Sequence, residues 1–214
     1  MDQNAIADGL IQYLMLVALL TFHEYGHAWT AWKCGDDTAR LQGRVSLNPV
    51  VHIDPIGTVF LPLFQIFMPS VGGFFVGWAK PVPVNPYNLN HPKRDDILVT
   101  LAGPGMNLVL AVGLVAAARI SMMFHADETV VHFLMGVAGM SLMLCFFNLI
   151  PVPPLDGSQI MRVVTGMSHE AYANFASFGF IIVIVVINIP PVQMVLGLAR
   201  NLTLNLLARI FGVY

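Results

Sequence analysis

The chain has 214 residues, 57% of them hydrophobic and only 10% charged, against roughly 25% charged in an ordinary soluble domain. That composition excludes a water-soluble globular fold and places the chain in a lipid bilayer. A formal net charge of −2 with no basic block argues against a nucleic-acid partner.

The first uncharged run, 9–23, continues through the turn HEYGH to Trp32, so a membrane helix is expected over about 5–33. Acidic Asp2 and Asp8 stand where a cleaved leader carries basic residues, and the helix therefore reads as retained. Residues four apart share one helical face, so His23 and His27 can offer ring nitrogens to a single ion while Glu24 points beside it. This is the H-E-x-x-H spacing of zinc metallopeptidases, and at this chain's His and Glu content chance supplies it about three times in a thousand. Trp29, Trp32 and Lys33 mark the interfacial end of the helix. At 1.5 Å per residue, His27 lies about 9 Å and His23 about 15 Å below Lys33. An ionisable side chain at such depth costs at least about 2.5–3.5 kcal/mol on insertion scales. A bound metal is the simplest compensation for two imidazoles.

The polar, Gly- and Pro-punctuated stretch 34–55 reads as a loop outside the lipid. Its His52 is expected to be a solvated loop histidine, the alternative being a supporting or substrate-facing role. Residues 56–79 are uncharged but interrupted by Pro62, Pro69, Gly72 and Gly73, and FFVGWAKPVPVNP has the aromatic, Val and Pro content of an edge strand. Lys33, Arg40, Arg44, Lys80, Lys93, Arg94 and Arg162 all fall on the cytoplasmic side only if 56–79 enters and leaves by one face. A re-entrant hairpin is therefore expected there, its backbone covered by protein; a full crossing with weaker charge bias is the alternative.

Uncharged runs at 97–118, 133–155 and 171–199 give spans at about 97–119, 130–152 and 171–189. The tail 191–214 places Arg200, Asn201, Asn205 and Arg209 among Leu residues at helical spacing, as an interfacial helix or a poor last span. Cys34 and Cys145 read as reduced, packed thiols. The expected fold is all-α: a polytopic helical membrane bundle with a small re-entrant β-like hairpin after the first helix, forming one integral-membrane domain over 1–214.

Two histidines leave a hydrolytic zinc one protein ligand short, since such sites usually have three and keep a fourth position for water. Asp156 is the first carboxylate after the uncharged run 133–155, at a Pro-broken helix end of the same expected sidedness, and is the candidate third ligand. As an isolated Asp before Gly it would ordinarily be a turn residue.

These segments resemble the site-2 proteases, which are intramembrane zinc metalloproteases. The likeness is carried by HEYGH at 23–27, AGPGMN at 102–107 and NLIPVPPLDG at 148–157, the last similar to the family's N-L-L-P-x-x-P-x-D-G signature. SLNPVVHIDPIGT and GWAKPVPVNP extend it toward the short subgroup without PDZ or CBS domains. The resemblance implies one Zn2+ per chain on His23, His27 and Asp156, with Glu24 as general base and Asn148 as hydrogen-bond donor to the oxyanion. The uncharged runs and the charge pattern make the expected protein multi-pass, of the cell membrane, with its site toward the cytoplasm. The implied substrate is a transmembrane helix of another protein, unwound and held as an added strand against 74–84. Asn107 is a weaker lining candidate, and Gly103 with Pro104 and Gly105 would permit close helix approach. The rival from another class is a metal or proton transporter; against it stand the Asn148–Asp156 signature and the lack of a second polar path through 97–119 or 171–189. A scaffold that has lost catalysis would have lost Glu24 or a ligand, and all are present. Oligomeric state is not legible.

Overall fold

A computed structural model describes residues 3–68 and 77–213. The chain divides into two compact units, residues 1–92 and 93–214.

The first unit is built on α1 (Gln3–Lys33). Its 31 residues extend about 46 Å, longer than a hydrocarbon core of about 30 Å. Leu16, Leu19, Leu20, Ala28 and Ala31 are its buried apolar side chains among the described residues. At its end the Lys33 ammonium stands 4.3 Å from the Trp32 ring centre and 5.8 Å from that of Trp29, the amphipathic girdle expected where a helix leaves lipid. Gly35, at φ +105°, turns the chain out of the helix. A Cβ there would lie 2.8 Å from the Asn90 side chain, and Asn90 N–H donates to the Cys34 carbonyl at 2.9 Å. Asp36 is fully buried and accepts from Asn85 N (2.7 Å), Asn88 Nδ2 (3.0 Å), Thr38 N (3.0 Å) and the Thr38 hydroxyl. Burial pushes its carboxyl pKa up, but these donors together outweigh it and hold the group below its usual value.

After α2 (Thr38–Leu41), three Asx–Pro pairs each begin a short helix. Asn48 accepts from Val50 N at 3.1 Å, Asp54 from Ile56 N and Gly57 N at 3.0 and 2.7 Å, and Asn85 from Tyr87 N at 3.1 Å. In each pair the carboxylate or amide caps the N-terminus and proline occupies the first turn, where its missing N–H costs nothing. The Asp54 cap starts a π-helix, Pro55–Phe60, that runs into α3 (Leu61–Phe67).

The β-like hairpin is the main correction to the sequence-based fold. Residues 55–67 are helical, 77–85 run without regular structure, and no strand occurs among the described residues. Residues 69–76, and with them 74–76 of the expected strand, lie outside the described residues. The physical reason is twofold. A capped Asp-Pro start turns 55–67 into helix, and Pro81 and Pro83 remove the donors that a strand ladder would need. The amides that remain are used individually: Trp78 N donates to Gly57 O at 3.1 Å and Lys80 N to His52 O at 2.9 Å.

The second unit contains α4 (Pro92–Met123), α5 (Glu128–Asn148), α6 (Asp156–Thr165), α7 (His169–Ala176), α8 (Gly179–Ile187) and α9 (Pro190–Phe211). Its core is small and aliphatic, with Ala111, Val115, Ala118, Met135, Ala138, Leu142 and Ala208 buried together. Arg200 of α9 donates to the Gly139 carbonyl of α5 at 3.1 Å, in space that a Cβ at Gly139 would fill. By contrast, a Cβ at Gly105 meets no heavy atom of the described residues within 4 Å, so among these residues that glycine provides no close helix approach. Among the described residues α1, α4, α5 and α9 are long and apolar enough to cross a membrane, and α7 with α8 forms a further candidate bent by 60°. The expected single helix over 171–189 is thus broken at Ser177–Phe178. Gly179 there packs against the Pro153 carbonyl, where a Cβ would come within 2.6 Å.

A buried cation anchors α6. Arg162 donates through Nη2 to Asp96 Oδ2 of α4, through Nε to Gln159 at 2.9 Å and through Nη1 to His169 Nε2 at 3.4 Å, and it lies over the Tyr172 ring. Removing one member of a buried pair strands the other charge. Arg162→Met should therefore lower unfolding free energy by about 3–5 kcal/mol in denaturant titrations in detergent, and adding Asp96→Leu should restore most of the loss.

Candidate active site

His23 and His27 occupy successive turns of α1, both buried. Their Nε2 atoms are 3.1 Å apart, with the rings edge to face at 4.7 Å between centres. Two nitrogens bound tetrahedrally to zinc at 2.0–2.1 Å stand about 3.3 Å apart. The pair therefore fits a shared zinc ion with little adjustment, and the fit follows from the four-residue spacing on one helical face.

Glu24, between them in sequence, faces the extended segment after residue 77. Its Oε2 accepts from Val82 N–H at 2.9 Å. Arg44, buried at 5% exposure, holds the same segment: its Nη2 donates to the Lys80 carbonyl and, at 3.3 Å, to that of Pro81. Burial lowers the Arg44 pKa from its usual value, and the charge of Glu24 acts in the opposite direction. Thr58 completes the fastening, its hydroxyl donating to the Trp78 carbonyl at 2.7 Å.

His52 is not solvated as expected; it is 2% exposed. Its Nε2 donates to the Ser46 carbonyl at 2.8 Å, which fixes the neutral ring with Nδ1 unprotonated. Reasoning from residue types counted Arg44 only as a marker of the cytoplasmic side, and for His52 it preferred the solvated reading over the supporting role weighed beside it. The available signal was the compact SLNPVVHIDPIGT stretch, whose Asn-Pro and Asp-Pro caps bracket His52 and turn it inward.

In the second unit, Asn148 is the last residue of α5 and one of its amide protons goes to the Leu144 carbonyl at 2.9 Å. The carboxamide nitrogen has a second proton. Asp156 is the first residue of α6, where the exposed N–H groups of the helix start favour a carboxylate. Between them runs a loop with a cis Pro153–Pro154 bond. Gly157 closes it, since a Cβ there would lie 2.3 Å from the Leu149 carbonyl oxygen. Asn107 is fully buried in α4, and its carbonyl accepts the Ser141 hydroxyl at 2.7 Å.

The pKa of His52 is lowered, by burial first, with the Ser46 contact opposing, Arg44 adding to the fall and Glu24 opposing it. An unfolded histidine gains a proton near pH 6.5 that the folded ring refuses, so this residue costs stability as pH falls through that range and none above it. Thermal midpoints measured at pH 7.5 and 5.5 should therefore fall further in the wild type than in His52→Gln, whose amide can still donate to Ser46.

The family model for Peptidase family M50 matches residues 11–125 and 118–188. The chain is 36% identical over 215 residues to "Putative zinc metalloprotease YwhC" of Bacillus subtilis, covering 94% of each protein. It is 33% identical over 177 residues to "Putative zinc metalloprotease Rip2" of Mycolicibacterium smegmatis, spanning 80% of this chain and 64% of that one. To "Zinc metalloprotease MJ0392" of Methanocaldococcus jannaschii it is 23% identical over 159 residues, 74% of this chain and 35% of the relative. No solved structure matches the chain. With its apolar, membrane-length helices and its paired imidazoles, the chain belongs to peptidase family M50 and is a multi-pass membrane zinc metalloprotease of the site-2 protease type.

Proposed function

We propose that the protein is an intramembrane endopeptidase that hydrolyses a peptide bond in or near a transmembrane segment of another membrane protein, as a step of regulated intramembrane proteolysis. The whole of 1–214 acts as one integral-membrane catalytic domain in the cell membrane, with its site toward the cytoplasm. The observation that carries this reading is the buried His23–His27 pair, 3.1 Å apart inside a helix long and apolar enough to span. Its depth below the Trp29–Lys33 girdle, about 9–15 Å by helical rise, brings the chemistry to bonds that soluble peptidases do not reach.

His23, His27 and Asp156 hold one zinc ion. When bound, zinc lowers the pKa of a coordinated water toward about 7 and polarises a carbonyl. Glu24 takes a proton from the attacking water and later passes one to the leaving amine. Asn148 gives its second amide proton to the oxygen of the scissile carbonyl as charge grows there. The scissile bond must leave its helix before reacting, because a helical amide is hydrogen-bonded and shielded.

Glu24→Gln should keep stoichiometric zinc while cleavage falls by about 10²–10⁴-fold, assayed on quenched fluorogenic peptides with one membrane-length apolar segment in phospholipid vesicles. Asn148→Leu should lower kcat by about 10²–10³-fold. Asp156→Ala and His27→Ala should each lose zinc, and X-ray absorption of the wild type should give nitrogen and oxygen ligands at about 2.0–2.2 Å. Undiminished cleavage in Glu24→Gln, or full zinc retention in Asp156→Ala, would overturn the corresponding assignment.

A further inference from the structure

The segment 80–84 has an unusual difficulty: Pro81 and Pro83 carry no N–H, so it cannot be fixed by a ladder of its own amides. It is fixed by side chains and loops of the first unit. Lys80 N reaches the His52 carbonyl, Val82 N reaches Glu24 Oε2, and two successive carbonyls, those of Lys80 and Pro81, converge on one nitrogen of Arg44. A buried guanidinium spent on two main-chain carbonyls one residue short of the Val82 amide has its effect on that amide.

We propose that Arg44 is a positioning residue for proteolysis: by fixing the Lys80 and Pro81 carbonyls it keeps the Val82 amide against Glu24 Oε2, so that the carboxylate presents Oε1 to the attacking water. The inference rests on Glu24 being the general base. In the step concerned, Glu24 Oε1 accepts the proton as the water O–H bond breaks and the new C–O bond forms at the scissile carbonyl; the proton then leaves on the amine as the C–N bond breaks. A carboxylate anchored at one oxygen has one orientation instead of several, and misplacement of a reacting group by about 1 Å can cost 10²-fold in rate.

The test uses the full-length, zinc-loaded protein with the fluorogenic membrane peptides, and 15N-valine-labelled protein with and without zinc. Arg44→Gln should lower kcat by about 10–100-fold with KM and zinc content within twofold. The Val82 amide resonance, assigned by its loss in Val82→Ile, should move upfield and exchange faster with solvent. Arg44→Lys, which keeps the charge and can reach one carbonyl, should recover part of both. In a Glu24→Asp background, where the shortened carboxylate no longer reaches Val82, Arg44→Gln should change kcat by less than threefold. Equal rate losses in the two backgrounds, an unmoved Val82 resonance, or a loss in Arg44→Lys accompanied by lost zinc or a collapsed thermal midpoint would each overturn the proposal. If instead Glu24→Gln retains cleavage, the assignment of the base itself fails, a result that the Arg44 variants cannot mimic.

Discussion

The carboxylate of Glu24 accepts the amide of Val82, 58 residues further along the chain, and much of the first unit serves to keep that amide in place. Between two prolines, Val82 offers the only N–H of residues 81–83. The neighbouring carbonyls are therefore held from outside by Arg44, and further back Thr58 holds the Trp78 carbonyl while itself belonging to the capped turn at Asp54. The Asp54 backbone N–H donates to the Thr58 hydroxyl at 2.9 Å while its carboxylate caps the helix start. Satisfying polar groups away from water determines the path of a chain segment that has no secondary structure of its own.

The helices were legible because a bilayer imposes a coarse rule: a run of about 20 uncharged residues must satisfy its own backbone, and a helix does so within one segment. α1, α4 and α5 follow from that rule, and the His23–Glu24–His27 turn follows from helical periodicity alone. The loop character of 34–55 followed from its Gly and Pro content. Glu24, Asn148 and Asp156 could be singled out from the sequence as candidates, but their surroundings could not: nothing in HEYGH names Val82 as a partner of Glu24, since a contact across 58 residues leaves no periodic trace.

What the sequence concealed has a common physical origin. Aromatic, Val and Pro content in 74–84 signals extended backbone, and the described part, 77–85, is indeed without helix apart from the turn that starts at Pro86. Extended backbone is not a strand unless another backbone pairs with it, and here prolines and side-chain acceptors take the place of a ladder. The break at Ser177–Phe178 was hidden because it falls inside the uncharged run ANFASFGFIIVIVV, where a bend leaves hydropathy unchanged; Gly179, packed where a Cβ would strike the Pro153 carbonyl, was its visible mark. His52 looked solvated because its neighbours in sequence are loop-formers, yet caps on either side of it set the direction of its ring.

Buried cations also bear on how charge is read as topology. The positive-inside argument counts each Lys and Arg as a solvated marker of one membrane face. Two of the seven cations counted do not meet that condition: Arg44 and Arg162 are 5% and 7% exposed, and both are hydrogen-bonded to protein, the first to main-chain carbonyls and the second to Asp96, Gln159 and His169. Their locations are dictated by those partners as much as by any membrane potential. Lys33, Arg40, Lys80, Lys93 and Arg94 remain exposed and carry the orientation argument by themselves. Lys33 and Lys80 flank the segment that contains α3, so a bias of the same sign on both sides of that segment survives the discount. The continuous helical stretch Pro55–Phe67, six residues of π-helix followed by the seven of α3, extends at most about 20 Å, short of a hydrocarbon core of about 30 Å. Where β-structure was first expected, the described part of that segment is thus helix, and shorter than a crossing requires.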